Sequence, residues 1–209
     1  MRNKIHKIFL KRILDIVFSS VILFFTSPLI IFFVVLQTFD TRLFGIFTQK
    51  RVGKNGKLFN IFKIRTMKDY KEIKTTVTTS KDKRITKLGS LLRKTKIDEL
   101  PQFINVLIGD MSIVGPRPDV KEFIDKLSQK DKEFLKMKPG ITCLSSILLI
   151  NEENILATKS NPLKYNEEIL WPKKVLLNNE YCKNWSISND IVIIIKTIYM
   201  VFKNIILFK

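Results

Sequence analysis

The sequence predicts an α/β protein, mostly helical with one small β-hairpin. It also predicts a re-entrant membrane helix at the N-terminus and an amphipathic interface helix at the C-terminus. Three observations predict this. Residues 16–39 form a 24-residue run without a single charge, with basic residues on both flanks. Two short apolar-rich runs, 47–52 and 58–64, surround Lys54-Asn55-Gly56, and Asn-Gly is a strong hairpin signal. Later segments carry apolar residues at helical spacing. The division is 1–40 for the basic start and membrane helix, 41–189 for a compact cytosolic domain, and 190–209 for the interface helix.

The totals bound the chemistry. A chain of 209 residues holds one ordinary domain with appendages and can bury a core without staples. The two cysteines, Cys143 and Cys182, form no disulfide framework. A net charge of +18 implies anionic company: nucleic acid, an anionic membrane surface or phosphate-bearing substrates.

As straight helix, 24 residues rise roughly 36 Å, enough to span a hydrocarbon core of ~30 Å. Ser27-Pro28 splits the run into halves, and proline removes one helical hydrogen bond. Upstream lie Arg2, Lys4, Lys7, Lys11 and Arg12; downstream lie Arg42, Lys50, Arg51, Lys54 and Lys57. Positive flanks stay cytoplasmic, so both ends belong on one side, which favours a re-entrant helix over a single-pass anchor.

After the hairpin, Lys63 and Arg65 share a face if Lys63–Met67 continues as strand. Residues 68–84 are polar and read as a mobile loop. The informative stretch is Lys94–Pro118. Asp98 and Glu99 sit between basic residues and Pro101, and Gly115-Pro116-Arg117-Pro118 presents an arginine on a stiffened backbone. Carboxylates bind divalent cations or attack electrophiles, and a held guanidinium grips phosphate. Asp98-Glu99-Leu100-Pro101 also reads as a helix start, with Asp98 as N-cap and Glu99 as a first-turn charge. Asp119–Lys138 reads as one amphipathic helix. In the tail, Lys196, Lys203, Thr197 and Asn204 recur seven apart as a polar stripe on an apolar helix. That suits a helix lying in the membrane interface with its lysines towards the headgroups, with a buried domain helix as the alternative.

Several stretches together carry a resemblance. They are Lys11-Arg12-Ile13-Leu14-Asp15, Ser27-Pro28, Gln49-Lys50-Arg51-Val52-Gly53 and Phe62-Lys63-Ile64-Arg65-Thr66-Met67. Ile97-Asp98-Glu99-Leu100-Pro101-Gln102, Asn105-Val106-Leu107, Gly109-Asp110-Met111-Ser112 and Val114-Gly115-Pro116-Arg117-Pro118 follow in order. Lys138-Pro139-Gly140-Ile141-Thr142 and Tyr181 with Asn184-Trp185-Ser186 complete the set. The chain resembles the bacterial sugar transferases, more specifically the small monotopic phosphoglycosyl transferases.

The resemblance implies transfer of a sugar 1-phosphate from a UDP-sugar to undecaprenyl or another polyprenyl phosphate, with release of UMP and a requirement for Mg²⁺. Asp98 would be the nucleophile, forming an aspartyl phospho-sugar. Glu99 would bind Mg²⁺ with Asp98 or assist proton transfer. Lys63, Arg65 and Arg117 would hold substrate phosphate, and Ser27-Pro28 would mark the re-entrant break. It further implies an inner-membrane location with the catalytic domain facing the cytoplasm, an anionic membrane surface, no nucleic acid, downstream glycosyltransferases as partners and a role in surface glycan assembly. The long multi-span N-terminal region of larger relatives is missing, so the small form is expected. The chain departs from the family at Cys143, where glycine is common, and in having no arginine after Arg117, leaving Lys159, Lys164, Lys173 or Lys174 as substitutes. The rival reading is a membrane-tethered basic module, without catalysis, that binds anionic lipid or nucleic acid.

Overall fold

The computed structural model describes residues 2–69 and 77–206, with the backbone alone for 2–4 and 204–206. It is mostly helical with small sheets. Helix α1 (Arg2–Thr41) continues through Pro28. Proline has no N–H, so the carbonyl of Phe24 loses its helical donor. The Ser27 hydroxyl donates to that carbonyl at 3.1 Å, and Thr26 donates to the carbonyl of Ile22 at 2.7 Å. Polar side chains thus turn back onto the backbone, while Phe24, Phe25, Ile31 and Phe32 stand exposed. The helix is long and apolar enough to cross a membrane.

Helix α1 meets the rest of the chain near both ends. Near its start, Arg12 donates to the carbonyls of Val106 and Leu107, and buried Asp15 accepts from the Ser112 hydroxyl and the Ile113 N–H. Near its end, Gln37 and Thr41 are buried.

Strands β1 (Ile46–Val52) and β2 (Leu58–Ile64) pair antiparallel. Asn55 and Gly56 take φ of 56° and 79° at the turn, as the Asn-Gly signal requires. Strand β2 ends at Ile64, so Arg65 lies just beyond it. The Met67–Ile85 bridge and a Lys68 N–H bond to the Arg84 carbonyl close the base of the following loop. Residues 70–76 of the segment read as mobile lie outside the described residues.

Helix α2 (Lys87–Thr95) ends at Lys96, which adopts a left-handed conformation (φ 60°) and reverses the chain. A 3₁₀ turn, Ile97–Glu99, follows, then α3 (Gln102–Ile108). Asp98 therefore is not the N-cap: the cap of α3 is Pro101, three residues later, with no side-chain cap hydrogen bond. Buried Asn105 accepts from the Phe62 N–H at 3.0 Å and donates to the Asn60 carbonyl at 2.7 Å, pinning α3 to β2.

Strand β3 (Ser112–Val114) pairs parallel with β4 (Gly140–Thr142). A Cβ on Gly140 would overlap the Gly115 backbone, so both glycines are needed for this approach. Between them, 119–138 is not one helix. It divides into α4 (Lys121–Asp125) and a 3₁₀ turn (Asp131–Lys136). The break lies at Ser128, whose hydroxyl bonds Asp131 and accepts the Asp131 N–H, a local turn that competes with helix.

Helices α5 (Leu144–Leu148), α6 (Glu152–Ala157), α7 (Pro162–Tyr165) and α8 (Trp171–Lys183) follow. Val52, Phe123, Phe134, Trp171 and Val175 join hairpin, α4 and α8 in one core cluster. Helix α9 (Ile187–Ile206) is seated by Ile193 against Val114, Ile147 and Tyr181. Thr197 does not join an outward polar stripe; it hydrogen-bonds Thr142 at 2.6 Å, inside the contact. Lys196 and Lys203 are exposed beside an outward apolar face of Ile191, Ile195, Ile198 and Phe202, while the Asn204 side chain lies outside the described residues.

Candidate active site

The strands set the floor of a cavity of about 490 Å³. Side chains alternate across a strand, so Phe47, Gln49 and Arg51 share one face of β1, and all three line the cavity with Lys63. Lys63 sits opposite Phe47 in the register. Arg65 also lines it, but its Nε donates to the Phe44 carbonyl at 2.8 Å and its guanidinium lies over the Phe47 ring. The 3₁₀ turn after α2 contributes Asp98, and the segment that follows β3 contributes Arg117.

The two carboxylates are adjacent in sequence but differ in surroundings. Glu99 Oε1 accepts from Lys63 Nζ at 2.8 Å and pairs with Arg117 at 3.6 Å. Burial alone would raise its pKa. Lys63, Lys96 and Arg117 outweigh burial and hold it well below the usual carboxylate range. Asp98 is 4% exposed, and its Oδ1 has no hydrogen-bond partner among the described residues. Burial first, and the charge of Glu99 second, push its pKa up to about 6, against the pull of Lys63, Lys96 and Arg93. Burial lowers the pKa of Lys63, with Glu99 opposing; for Arg117, burial is outweighed by Glu99 together with Cys143, Glu152 and Asp119, which keep the guanidinium charged.

The sequence-predicted residues Lys63, Glu99 and Arg117 thus form one ion-paired group, with Asp98 beside it and Arg65 on the same wall. Ser27 and Pro28 are exposed on α1, away from the cavity.

Sequence reasoning did not assign Arg51, Arg93, Glu152 or Glu153, which also line the cavity with Lys174. Arg93 pairs with Glu153, and Lys174 Nζ donates to Glu152 at 2.6 Å. Of the lysines offered for the missing arginine, Lys174 is buried in this wall, whereas Lys159, Lys164 and Lys173 are exposed. Alternation through Phe47, Gln49 and Arg51 was the available signal for Arg51; nothing local marks Glu152, and nothing local sets Lys174 apart from the other three lysines. Cys143 is accommodated because its φ of −156° is extended backbone open to any residue. Its thiol contacts the Ser146 hydroxyl, which accepts from Arg117 at 3.2 Å.

Of the buried polar side-chain atoms that have no partner among the described residues, all but the Ser19 hydroxyl belong to residues lining this cavity. They are Arg51 Nε, Arg93 Nε, Asp98 Oδ1, Asn166 Oδ1 and Trp171 Nε1. Buried polar groups are normally satisfied, so such a concentration marks a site built for a polar ligand. Fixed N–H donors suit an anion, and an unpartnered carboxylate oxygen suits a cation or an electrophile.

Comparisons with known proteins agree with this chemistry. The family model for the bacterial sugar transferases matches residues 6–204. The chain is 36% identical to the undecaprenyl-phosphate galactose phosphotransferase of Salmonella typhimurium, over 93% of this chain and 41% of that protein. It is 37% identical to the UDP-glucose:undecaprenyl-phosphate glucose-1-phosphate transferase of Escherichia coli, over 93% of this chain and 40% of that protein. It is 31% identical to the exopolysaccharide production protein ExoY of Rhizobium meliloti, over 90% of this chain and 83% of that protein. The chain spans about two-fifths of the length of the first two. With a family model covering nearly all its residues, and with matches in order from Lys11 to Ser186, the chain belongs to the bacterial sugar transferase family.

Proposed function

We propose that this protein transfers a sugar 1-phosphate from a UDP-sugar to undecaprenyl phosphate, releasing UMP, by way of an aspartyl phospho-sugar on Asp98. The observation that carries the reading is Asp98 itself: a buried carboxyl with one oxygen unpartnered among the described residues, in a wall that also presents Lys63, Arg51, Arg93 and Arg117. In the first displacement an Asp98 oxygen bonds to the sugar-bearing phosphorus, and the bond from that phosphorus to the UMP oxygen breaks. UMP leaves with the electron pair. In the second, an oxygen of the lipid phosphate attacks the same phosphorus and Asp98 departs as carboxylate, leaving a polyprenyl diphosphate sugar. Two displacements let the nucleotide leave before a bulky lipid approaches.

An anion attacking a diphosphate needs fixed positive charge nearby. Arg117 and Lys63 stay beside the reacting phosphates because Glu99 holds both. Glu99 in this reading is a positioning residue as much as a ligand. Among the described residues no cluster of three or more His, Cys, Asp or Glu could enclose a metal. Asp98 with its unpartnered oxygen, and Glu99 next to it, nevertheless fit Mg²⁺, which takes one or two carboxylates and completes its shell with substrate phosphates and water. Bound there, Mg²⁺ would neutralise phosphate charge and polarise the scissile bond.

The lipid acceptor gives the apolar helices a purpose. The proposed topology is re-entrant, with both ends of α1 and the domain on the cytoplasmic side, and α9 lying in the interface. Supporting it are the basic flanks and the attachment of one domain to Arg12 and Asp15 near the start of α1 and around Gln37 and Thr41 near its end. An Asn3→Cys variant in intact cells is expected to resist a membrane-impermeant thiol reagent; labelling there would make α1 a span.

The transfer reading is tested by mass spectrometry of the purified protein incubated with UDP-sugar and Mg²⁺ but no lipid. The expected product is a phospho-sugar adduct on Asp98 with stoichiometric UMP. UMP release only when lipid is added, with no adduct, would replace the two-step route by direct attack.

A further inference from the structure

We propose that Asn166 and Trp171 form a pair that reads the edge of the donor's nucleobase in the wall of the Asp98 cavity. Each is 6% exposed, each lines the cavity, and each has one unpartnered polar atom among the described residues: the Asn166 Oδ1 acceptor and the Trp171 Nε1 donor. They come from one local device. Asn166–Leu170 is a π-turn, in which the Trp171 N–H bonds to the Asn166 carbonyl. Such wide turns are rare, and they recur at functional sites because they re-aim side chains. This one sets residues 166 and 171 one turn apart beside the same cavity.

Packing explains the indole ring but not its N–H. The Trp171 ring lies against Phe123, with centroids 5.4 Å apart, and within the cluster of Val52 and Val175. An all-carbon ring would fill that role without leaving a buried donor unsatisfied, which is costly. The same holds for a buried carboxamide oxygen with no donor. A ligand with an acceptor and a donor side by side satisfies both. The imide edge of uracil has this arrangement: a carbonyl for Trp171 Nε1–H, and N3–H for Asn166 Oδ1. The unpartnered Nε atoms of Arg51 and Arg93 in the same wall are left for the phosphates.

The identity of the ligand as a uridine nucleotide rests on the transferase reading; the donor-acceptor pair rests on the unpartnered atoms alone. The experiment measures binding of UMP, 3-methyl-UMP and ribose 5-phosphate to the full chain in nanodiscs. Methylation at N3 replaces the imide proton with a methyl group, so the analogue can no longer donate there. Wild type is expected to bind UMP at least about tenfold tighter than 3-methyl-UMP, since a site built to pair an N–H rejects the analogue that lacks it. In Asn166→Ala that ratio is expected to fall within about twofold, while ribose 5-phosphate binds as in wild type and so shows that the phosphate side remains folded. Equal binding of UMP and 3-methyl-UMP by wild type overturns the inference without any variant. So does an Asn166→Ala protein that keeps the full ratio. The two readings fail separately. An Asp98 adduct without imide discrimination removes the base contact and keeps the transferase; discrimination without any adduct keeps the base contact and removes the two-step transfer.

Discussion

Asp98→Asn is expected to reduce UMP release by at least about 10³-fold while membrane association and folding persist, because removing a nucleophile leaves only binding and electrostatics. Full activity in that variant would remove the assigned nucleophile. The isosteric amide keeps the shape of the 3₁₀ turn and leaves the Lys63–Glu99–Arg117 pairing intact, so the loss reads as chemistry. Wild-type rates should fall as pH drops through about 6, where Asp98 takes up its proton. Stability moves the other way. A carboxyl held up to about 6, against 3.8 ordinarily, binds its proton more tightly in the folded chain than in the unfolded one. Its contribution is therefore fully present below about pH 4 and is lost as pH rises through 6. At pH 7.5 the fold carries a buried, incompletely paired charge, and Asp98→Asn should raise stability by an amount on the order of 2 kcal/mol. Thermal unfolding in nanodiscs at pH 7.5 and pH 5 measures this: the gain should shrink at the lower pH. A destabilised variant at pH 7.5 would show that Asp98 is satisfied in the fold.

Asp190→Ala is expected to have the largest effect on the fold. Asp190 is buried and accepts from Lys11 Nζ at 2.5 Å, the Tyr181 hydroxyl at 2.6 Å and Trp185 Nε1 at 3.1 Å. The residues come from α1, α8 and the start of α9, so this carboxylate ties both apolar helices to the domain. Lys11 also donates to the Val114 carbonyl at 2.9 Å, three residues before Arg117. Removing Asp190 strands the Lys11 charge and two donors, a loss of ~3–5 kcal/mol by analogy with broken buried pairs. Transferase activity should fall with it, since the strand that leads into Arg117 loses its tie. Lys11→Met combined with Asp190→Leu should recover part of the stability, because no unpaired charge remains. A loss below about 1 kcal/mol in Asp190→Ala would mean that water replaces the carboxylate and the network is not structural.

Much of the frame follows from local rules. Asn55-Gly56 specifies the hairpin because its turn needs positive φ at both residues. A 24-residue run without charge specifies a long apolar helix, and the Ser27 hydroxyl beside Pro28 shows how that helix continues through a proline. Asp98, Glu99 and Arg117 stand out in sequence because carboxylates amid basic residues, and an arginine between prolines, serve no evident packing purpose. Where local rules compete, sequence reasoning loses resolution. Asp98 has the form of an N-cap, but Pro101 and the reversal at Lys96 start α3 later. The apolar spacing of 119–138 suits one helix, but Ser128 and Asp131 close a turn inside it.

The sequence by itself determined a charge-free helix, a hairpin, a basic surface and a pair of adjacent carboxylates. Only the tertiary structure decided which carboxylate is free. Lys63 comes from β2 and Arg117 from the segment after β3, and both converge on Glu99, while Asp98 Oδ1 has no partner among the described residues. The same holds for Asn166 and Trp171, which look like ordinary polar and core residues in the chain. Burial and hydrogen-bond satisfaction are sums over neighbours distant in sequence, so neither can be read from a residue and its flanks.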